Sequence, residues 1–268
     1  MRAKVISYGL LCLLCVPFVF PTWWMVTSSL KPNADIFAFQ LWPERPSFQA
    51  WRDVFTLQPF AQQYLNSAYI ALVVTLGTLV VSSMAGYAFA RMSFRFKGLM
   101  LALILSILMV PSQVYLIPQY QIIQSLGWLD SIQGIIAPGI FSAFGTFLMM
   151  QFFRTIPAEL EEAARLDGCN PWQTFWKVVL PVARPGLISL AIITVLASWA
   201  DLLWPLVIAT SPEKMPLSVG LATLAGYQGT ISPGVLMAAA LMAMAPVLIL
   251  FVVLQRRVVE GIAFSGLK

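Results

Sequence analysis

The 268-residue chain contains no histidine, so the commonest metal ligand and the side chain best suited to general base chemistry near neutral pH are both missing. It has no G-x-x-x-x-G-K phosphate loop, which excludes ATP hydrolysis by that route. Charge is scarce as well. Asp, Glu, Lys and Arg make up 10% of the residues, against about a quarter in soluble domains, while 59% are hydrophobic and the mean hydropathy is +0.83. Cysteine says little: Cys12 and Cys15 form a C-x-x-C inside an apolar run, where buried packing is expected rather than a redox pair, and Cys169 stands alone. With no nucleophile motif, and carboxylates clustered only around 159–167, a membrane enzyme is a poor reading.

What the chain does have is apolar length. Six stretches, roughly 8–30, 67–90, 99–120, 132–153, 186–210 and 234–254, can cross a hydrocarbon core of about 30 Å, which needs ~20 helical residues. The expected fold is an all-α integral membrane protein with six transmembrane helices in a single domain spanning 1–268. Basic residues set the orientation. One side carries Arg2, Lys4, Arg91, Arg95, Lys97, Arg154, Arg165, Lys177, Arg184, Arg256, Arg257 and Lys268; the other has only Lys31, Arg45, Arg52 and Lys214. Twelve against four puts both termini and the loop 154–185 in the cytoplasm, an N-in, C-in topology.

The first apolar run follows Met1–Lys4 as in a signal peptide, but it extends to Leu30, past a typical h-region, and carries Trp23 and Trp24 as interfacial anchors; a retained helix is expected. Residues 31–66 form a polar, proline-punctuated connection, with Trp42 and Trp51 suited to the membrane surface or another subunit. In the third span, Pro111 and Pro118 each remove a backbone hydrogen bond, and a kink satisfied by neighbouring helices is expected. Asp201, in the fifth, is the one ionisable residue placed well inside a membrane helix; at the bilayer centre it costs about 2.5 to 3.5 kcal/mol and so faces protein or water, the alternative reading being a snorkelling position near the outer end of the span.

The charged island Arg154–Pro185 reads as two short helices outside the membrane. Pro157 suits a first helical position, and Glu159, Glu161 and Glu162 suit the positive end of a helix dipole. Glu161 is spaced to pair with Arg165 at i, i+4, and Gly168 can take the left-handed conformation that reverses the chain. Asn170, Pro171 and Gln173 then make a capping-box start, after which Trp172, Phe175, Trp176 and Val179 give one apolar face that needs a partner.

Glu162-Ala163-Ala164, three residues, Gly168, nine residues, then Val178, one residue and Leu180-Pro181 together resemble the cytoplasmic EAA loop of ABC importer permeases, with Val178 where the motif usually has Ile. SLKP at 29–32, GYAFAR at 86–91, the segment 110–131 and WADLLWPLVI at 199–208 are similar to the carbohydrate-uptake branch, in particular the second maltose permease subunit and its relatives, although Ala200 stands where relatives often carry a polar residue. The resemblance covers nearly the whole chain. It implies a non-catalytic, multi-pass permease subunit of a prokaryotic plasma (inner) membrane, working by alternating access. Its implied partners are a homologous second permease, two ATP-binding subunits and an extracytoplasmic solute-binding protein. No cofactor is implied on this chain, ATP and Mg being held by the ATPase partners.

The residues carried over for ATPase coupling are Glu161, Glu162, Ala163, Ala164, Arg165, Asp167 and Gly168, where the alanines permit close backbone approach and Glu162 offers a charge to a basic group. Asp201, Trp199, Tyr87, Tyr115 and Gln119 are the candidate translocation residues, since sugars are handled by aromatic platforms and hydrogen-bonding groups. The other readings are a permease for a non-sugar solute and an ion-coupled secondary transporter, which would need paired broken helices and more intramembrane carboxylates than Asp201.

Overall fold

A computed structural model describes residues 2–226 and 231–266, with side chains described for 7–8, 13–33, 35–226 and 231–253. Arg2, Lys4, Cys12, Arg256, Arg257 and Lys268, used above for topology or packing, therefore lie outside the described side chains. The regular structure among the described residues is all helical, with no strand.

Helix α1 (Arg2–Ser29) contains Pro17 and Pro21 and leads into a connection that holds α2 (Gln49–Leu57). This connection is tied to its own chain. The ammonium of Lys31, a buried residue, donates to the Ala38 carbonyl at 2.8 Å and lies 4.5 Å from the Trp24 ring centroid. Trp51 Nε1 donates to Ser29 Oγ at 3.3 Å, and the Trp42 ring lies tilted against Trp23, with centroids 5.9 Å apart. Helix α3 (Phe60–Arg91) begins earlier than the apolar run at 67 suggested, because Phe60, Gln63 and Asn66 are buried against the protein. Its 32 residues rise about 48 Å at 1.5 Å per residue, more than a hydrocarbon core requires.

The three middle spans are not straight. Helix α4 (Lys97–Ser106) and a 3₁₀ turn at Ile107–Met109 end before Pro111; a second 3₁₀ turn (Ser112–Tyr115) starts α5 (Leu116–Ser125), and the direction changes by 104°. This corrects the expected kink at Pro111: the helix is interrupted. Pro118 instead sits in the first turn of α5, where its missing N–H costs least. Helices α6 (Ile132–Gly139) and α7 (Ala143–Thr155) meet at 41°, with the Ser142 hydroxyl capping α7 at Gly145 N.

After α7 come α8 (Glu159–Leu166), α9 (Pro171–Thr174), a widened π turn (Phe175–Val179) and α10 (Leu180–Val182), which meets α11 (Arg184–Ala200) at 75°. The fifth apolar stretch is thus not one helix to residue 210. It breaks at Asp201–Leu202 and resumes as α12 (Leu203–Ile208). Helices α13 (Leu217–Gly226) and α14 (Pro233–Gly266) complete the chain.

Among the described residues, Phe60–Arg91 and Pro233–Val253 are each long and apolar enough to cross a membrane, and each bent pair adds one crossing if taken as a single span, giving up to five; Leu13–Ser29 is a shorter apolar helix within α1. Helix α3 packs along α7 and α11 as the centre of the bundle. Small residues allow this approach: a Cβ on Gly86 would stand 2.8 Å from Met150 N, and one on Gly145 would stand 2.5 Å from Ser82 Oγ. By contrast, α4 buries no side chain, and Leu99, Met100 and Leu103 on it are exposed.

Candidate functional site

Helix α8 starts two residues later than Pro157 suggested, with Ala158 as its N-cap, so Pro157 belongs to the approach from α7. Its first-turn acids divide by face. Glu161 is buried, whereas Glu159 and Glu162 are exposed. The expected pair of Glu161 with Arg165 is not formed. Glu161 Oε1 instead lies 2.8 Å from Arg91 Nε, and its other carboxylate oxygen accepts from the Tyr87 hydroxyl at 3.0 Å. The Arg91 guanidinium also donates to the Ile156 carbonyl, bracing the connection between α7 and α8. A shielded, long-range ion pair has displaced an exposed local one worth only about 0.2–0.5 kcal/mol.

The end of α8 is a complete Schellman turn. Cys169 N donates to Ala164 O at 2.9 Å and Gly168 N to Arg165 O at 3.0 Å, with Gly168 at φ +83°. The capping box that starts α9 is also complete: Gln173 N donates to Asn170 Oδ1 at 2.8 Å, and Asn170 N donates to Gln173 Oε1 at 3.0 Å.

The apolar face read across Trp172, Phe175, Trp176 and Val179 splits in two. Phe175 and Val179 are buried with Met149, Phe153, Ile156 and Leu190, so that half finds its partner within this chain. Trp172 and Trp176 stay exposed at 56% and 39%, meeting edge to face at 5.6 Å. Beside them, the outward side of α8 presents Glu162, Ala163, Arg165, Asp167 and Leu166, the last 90% exposed. Leu166 is thus a large apolar side chain held outward on a helix whose end is closed by the Schellman turn and whose opposite side is anchored by Glu161.

The second feature is an open-sided cavity of about 730 Å³ lined by α3, the α4–α5 break, the α6–α7 break, α11 and the start of α12. Three of the interruptions of the apolar stretches face it, at Val110 beside Pro111, at Phe141 and Ser142, and at Asp201, whereas the 75° bend between α10 and α11 does not. Non-helical backbone at membrane depth is tolerated where it is buried in protein or lines such a space. Tyr115, Gln119 and Asp201 are brought together in its wall, joined by the hydroxyl residues Thr78, Thr194 and Ser198. Asp201 ends α11 rather than lying within a continuous helix, and its carboxylate faces the backbone N–H groups of Leu203 and Trp204.

Two candidates lie elsewhere. Trp199 Nε1 donates to the Ala243 carbonyl at 3.1 Å and its ring meets Tyr64 edge-on, fastening α11 to α14. Tyr87 stands against Phe153 and Phe175 and bonds Glu161, so it serves the hairpin instead of the cavity. The Tyr87–Arg91 spacing of i, i+4 places both side chains on one face at the end of α3, a signal within GYAFAR that could have revealed the anchor. Thr78, Thr194 and Ser198 carried no sequence signal of their own.

Residues 79–263 match the family of binding-protein-dependent transport system inner membrane components. The chain belongs to that family. It is a multi-pass inner-membrane permease of a binding-protein-dependent transport system. It is 33% identical to the trehalose transport system permease protein SugB of Mycobacterium tuberculosis, over 98% of this chain and 94% of that one. The arabinooligosaccharides transport system permease protein AraQ of Bacillus subtilis is 30% identical over 96% of this chain and 92% of its own. The sn-glycerol-3-phosphate transport system permease protein UgpE of Shigella flexneri is 36% identical over 77% and 74%. Among solved structures, a chain of a bacterial ABC transporter involved in the import of the acidic polysaccharide alginate superposes with a TM-score of 0.84 at 26% identity, covering 95% of this permease and 96% of that chain. The hairpin from Glu162 to Pro181 lies within the matched residues.

Proposed function

We propose that this permease forms one half of the pathway of an ATP-driven importer for a sugar or a closely related polyhydroxylated solute. The observation that carries the reading is the exposed side of α8, where Glu162, Ala163 and Leu166 stand outward on a helix whose opposite side is locked to α3 through Glu161. A separate ATPase subunit docks on that side. Two such ATPases hold ATP and Mg, a homologous second permease completes the pathway, and an extracytoplasmic binding protein delivers the solute. This chain is non-catalytic and holds no cofactor.

The chain crosses the membrane six times, N-in and C-in; the bias of basic residues supports that topology. The hairpin then faces the cytoplasm. Closure of the ATPases drives the two hairpins together and the permeases outward-open, and hydrolysis resets the inward-facing state. ATP shifts this equilibrium because the closed ATPase dimer binds it more tightly than the open one. The solute passes the cavity at Tyr115, Gln119 and Asp201, where hydroxyl, amide and carboxylate groups hydrogen-bond sugar hydroxyls. The trehalose and arabinooligosaccharide systems of the relatives support this solute class.

The test is reconstitution of the complete complex in proteoliposomes with candidate sugars loaded on the binding protein. Uptake that requires both ATP and binding protein is expected; uptake driven by an ion gradient without ATP would contradict the reading. In the same system, unchanged affinity and rate in Asp201→Ala would remove Asp201 from the pathway.

A further inference from the structure

Resting on that proposed function, we infer that Arg91, Glu161 and Tyr87 form the joint through which movement of the docking helix α8 reaches the cavity. Of the eight residues of α8, Glu161 and Ala164 are the buried ones. Ala164 contributes a single methyl group, so the side-chain grip of α8 on the body of the permease is mostly that of Glu161. Without it, α8 would hang from α7 by residues 156–158 and from α9 by the turn at Gly168, two connections about which a short helix can pivot.

The joint removes that freedom. Arg91 holds α8 through Glu161 and the α7–α8 connection through the Ile156 carbonyl, while Tyr87 takes the second carboxylate oxygen. The Tyr87 ring is wedged against Phe153 of α7 and Phe175 of the π turn, with centroids 5.8 Å and 5.0 Å away. Both partners of Glu161 stand on α3, which runs without a break from Arg91 to Ser67, Ile70, Val74 and Thr78 in the cavity wall. A push on α8 therefore enters a continuous helix. The route through α10 and α11 passes a 75° bend.

The chemistry fits transmission better than stability. A buried ion pair can often be exchanged for apolar residues without loss of stability, but an apolar contact tolerates sliding, whereas a carboxylate held by an ion pair at one oxygen and a hydrogen bond at the other fixes direction and distance. These are positioning residues. They touch no solute, and their role is read in the ratio of transport to hydrolysis.

The experiment uses the assembled importer, with its second permease, ATPases and binding protein, in proteoliposomes, measuring sugar taken up and ATP hydrolysed together. Glu161→Gln and the reversed pair Arg91→Glu with Glu161→Arg are compared with the unaltered complex. The joint predicts that Glu161→Gln still assembles and hydrolyses ATP within about threefold of the unaltered complex while sugar moved per ATP falls about tenfold, and that the reversed pair recovers most of that ratio. An unchanged ratio in Glu161→Gln overturns the inference, as does loss of assembly, hydrolysis and uptake together without recovery in the reversed pair. Absence of ATP-dependent uptake in the unaltered complex would instead remove the proposed function itself.

Discussion

Arg91 Nε stands 2.8 Å from Glu161 Oε1, with Arg91 19% and Glu161 6% exposed at their side chains. Either charge left alone there would be desolvated without compensation. Arg91→Met is therefore expected to destabilise the folded permease by about 3–5 kcal/mol, while Arg91→Met combined with Glu161→Leu restores most of the loss. Thermal midpoints of the purified protein in one detergent would check this. Equal midpoints for Arg91→Met and the unaltered chain would show that the pair is solvated.

Gly168 holds φ +83°, and a Cβ built on it meets nothing within 4 Å. Space is free and only backbone conformation resists substitution. Gly168→Ala should cost about 1–2 kcal/mol, and Gly168→Asn less, because asparagine visits the left-handed region more readily. The loss should appear as faster hydrogen exchange at the Gly168 and Cys169 amides, which close the turn on Arg165 and Ala164. Equal exchange in all three proteins would contradict the turn's role.

Asp130, in the connection between α5 and α6, ties that loop to the segment after α12. The Ser211 hydroxyl, then the backbone N–H groups of Ser211 and Thr210, hold its carboxyl at about 2, below the usual 3.8. Because the folded value lies below the unfolded one, the stabilisation is complete above about pH 4 and is lost as pH falls through about 2. Protection of the Thr210 and Ser211 amides, corrected for intrinsic exchange, should drop across that window, and Asp130→Asn should show lower protection with no such drop. Constant protection down to pH 2 in the unaltered chain would refute the assignment.

Much of this was legible in the residues, and what was not has physical reasons. Gly168 and the Asn170–Gln173 box act over a few residues through backbone geometry, so their sequence signals carried through. The i, i+4 rule for Glu161 and Arg165 failed because it weighs only neighbours on one helix; Arg91 and Tyr87 approach from α3, and Tyr87 is 74 positions away. The helical spacing from Trp172 to Val179 implies one surface, but Phe175 and Val179 turn into the core and leave the tryptophans outside. Pro111 looked like a tolerable kink until the cavity behind it supplied a setting for interrupted backbone.

Docking of the ATPase on α8 is tested by Glu162→Lys, made at an exposed residue of α8 so that the fold of the permease is preserved. Sugar uptake and co-purification of the ATPase subunits would be measured against the unaltered complex. Reversing this charge is expected to weaken ATPase docking and to lower ATP-dependent uptake at least about tenfold, a change worth about 1.4 kcal/mol per factor of ten. Uptake and ATPase recovery both equal to those of the unaltered complex would contradict it.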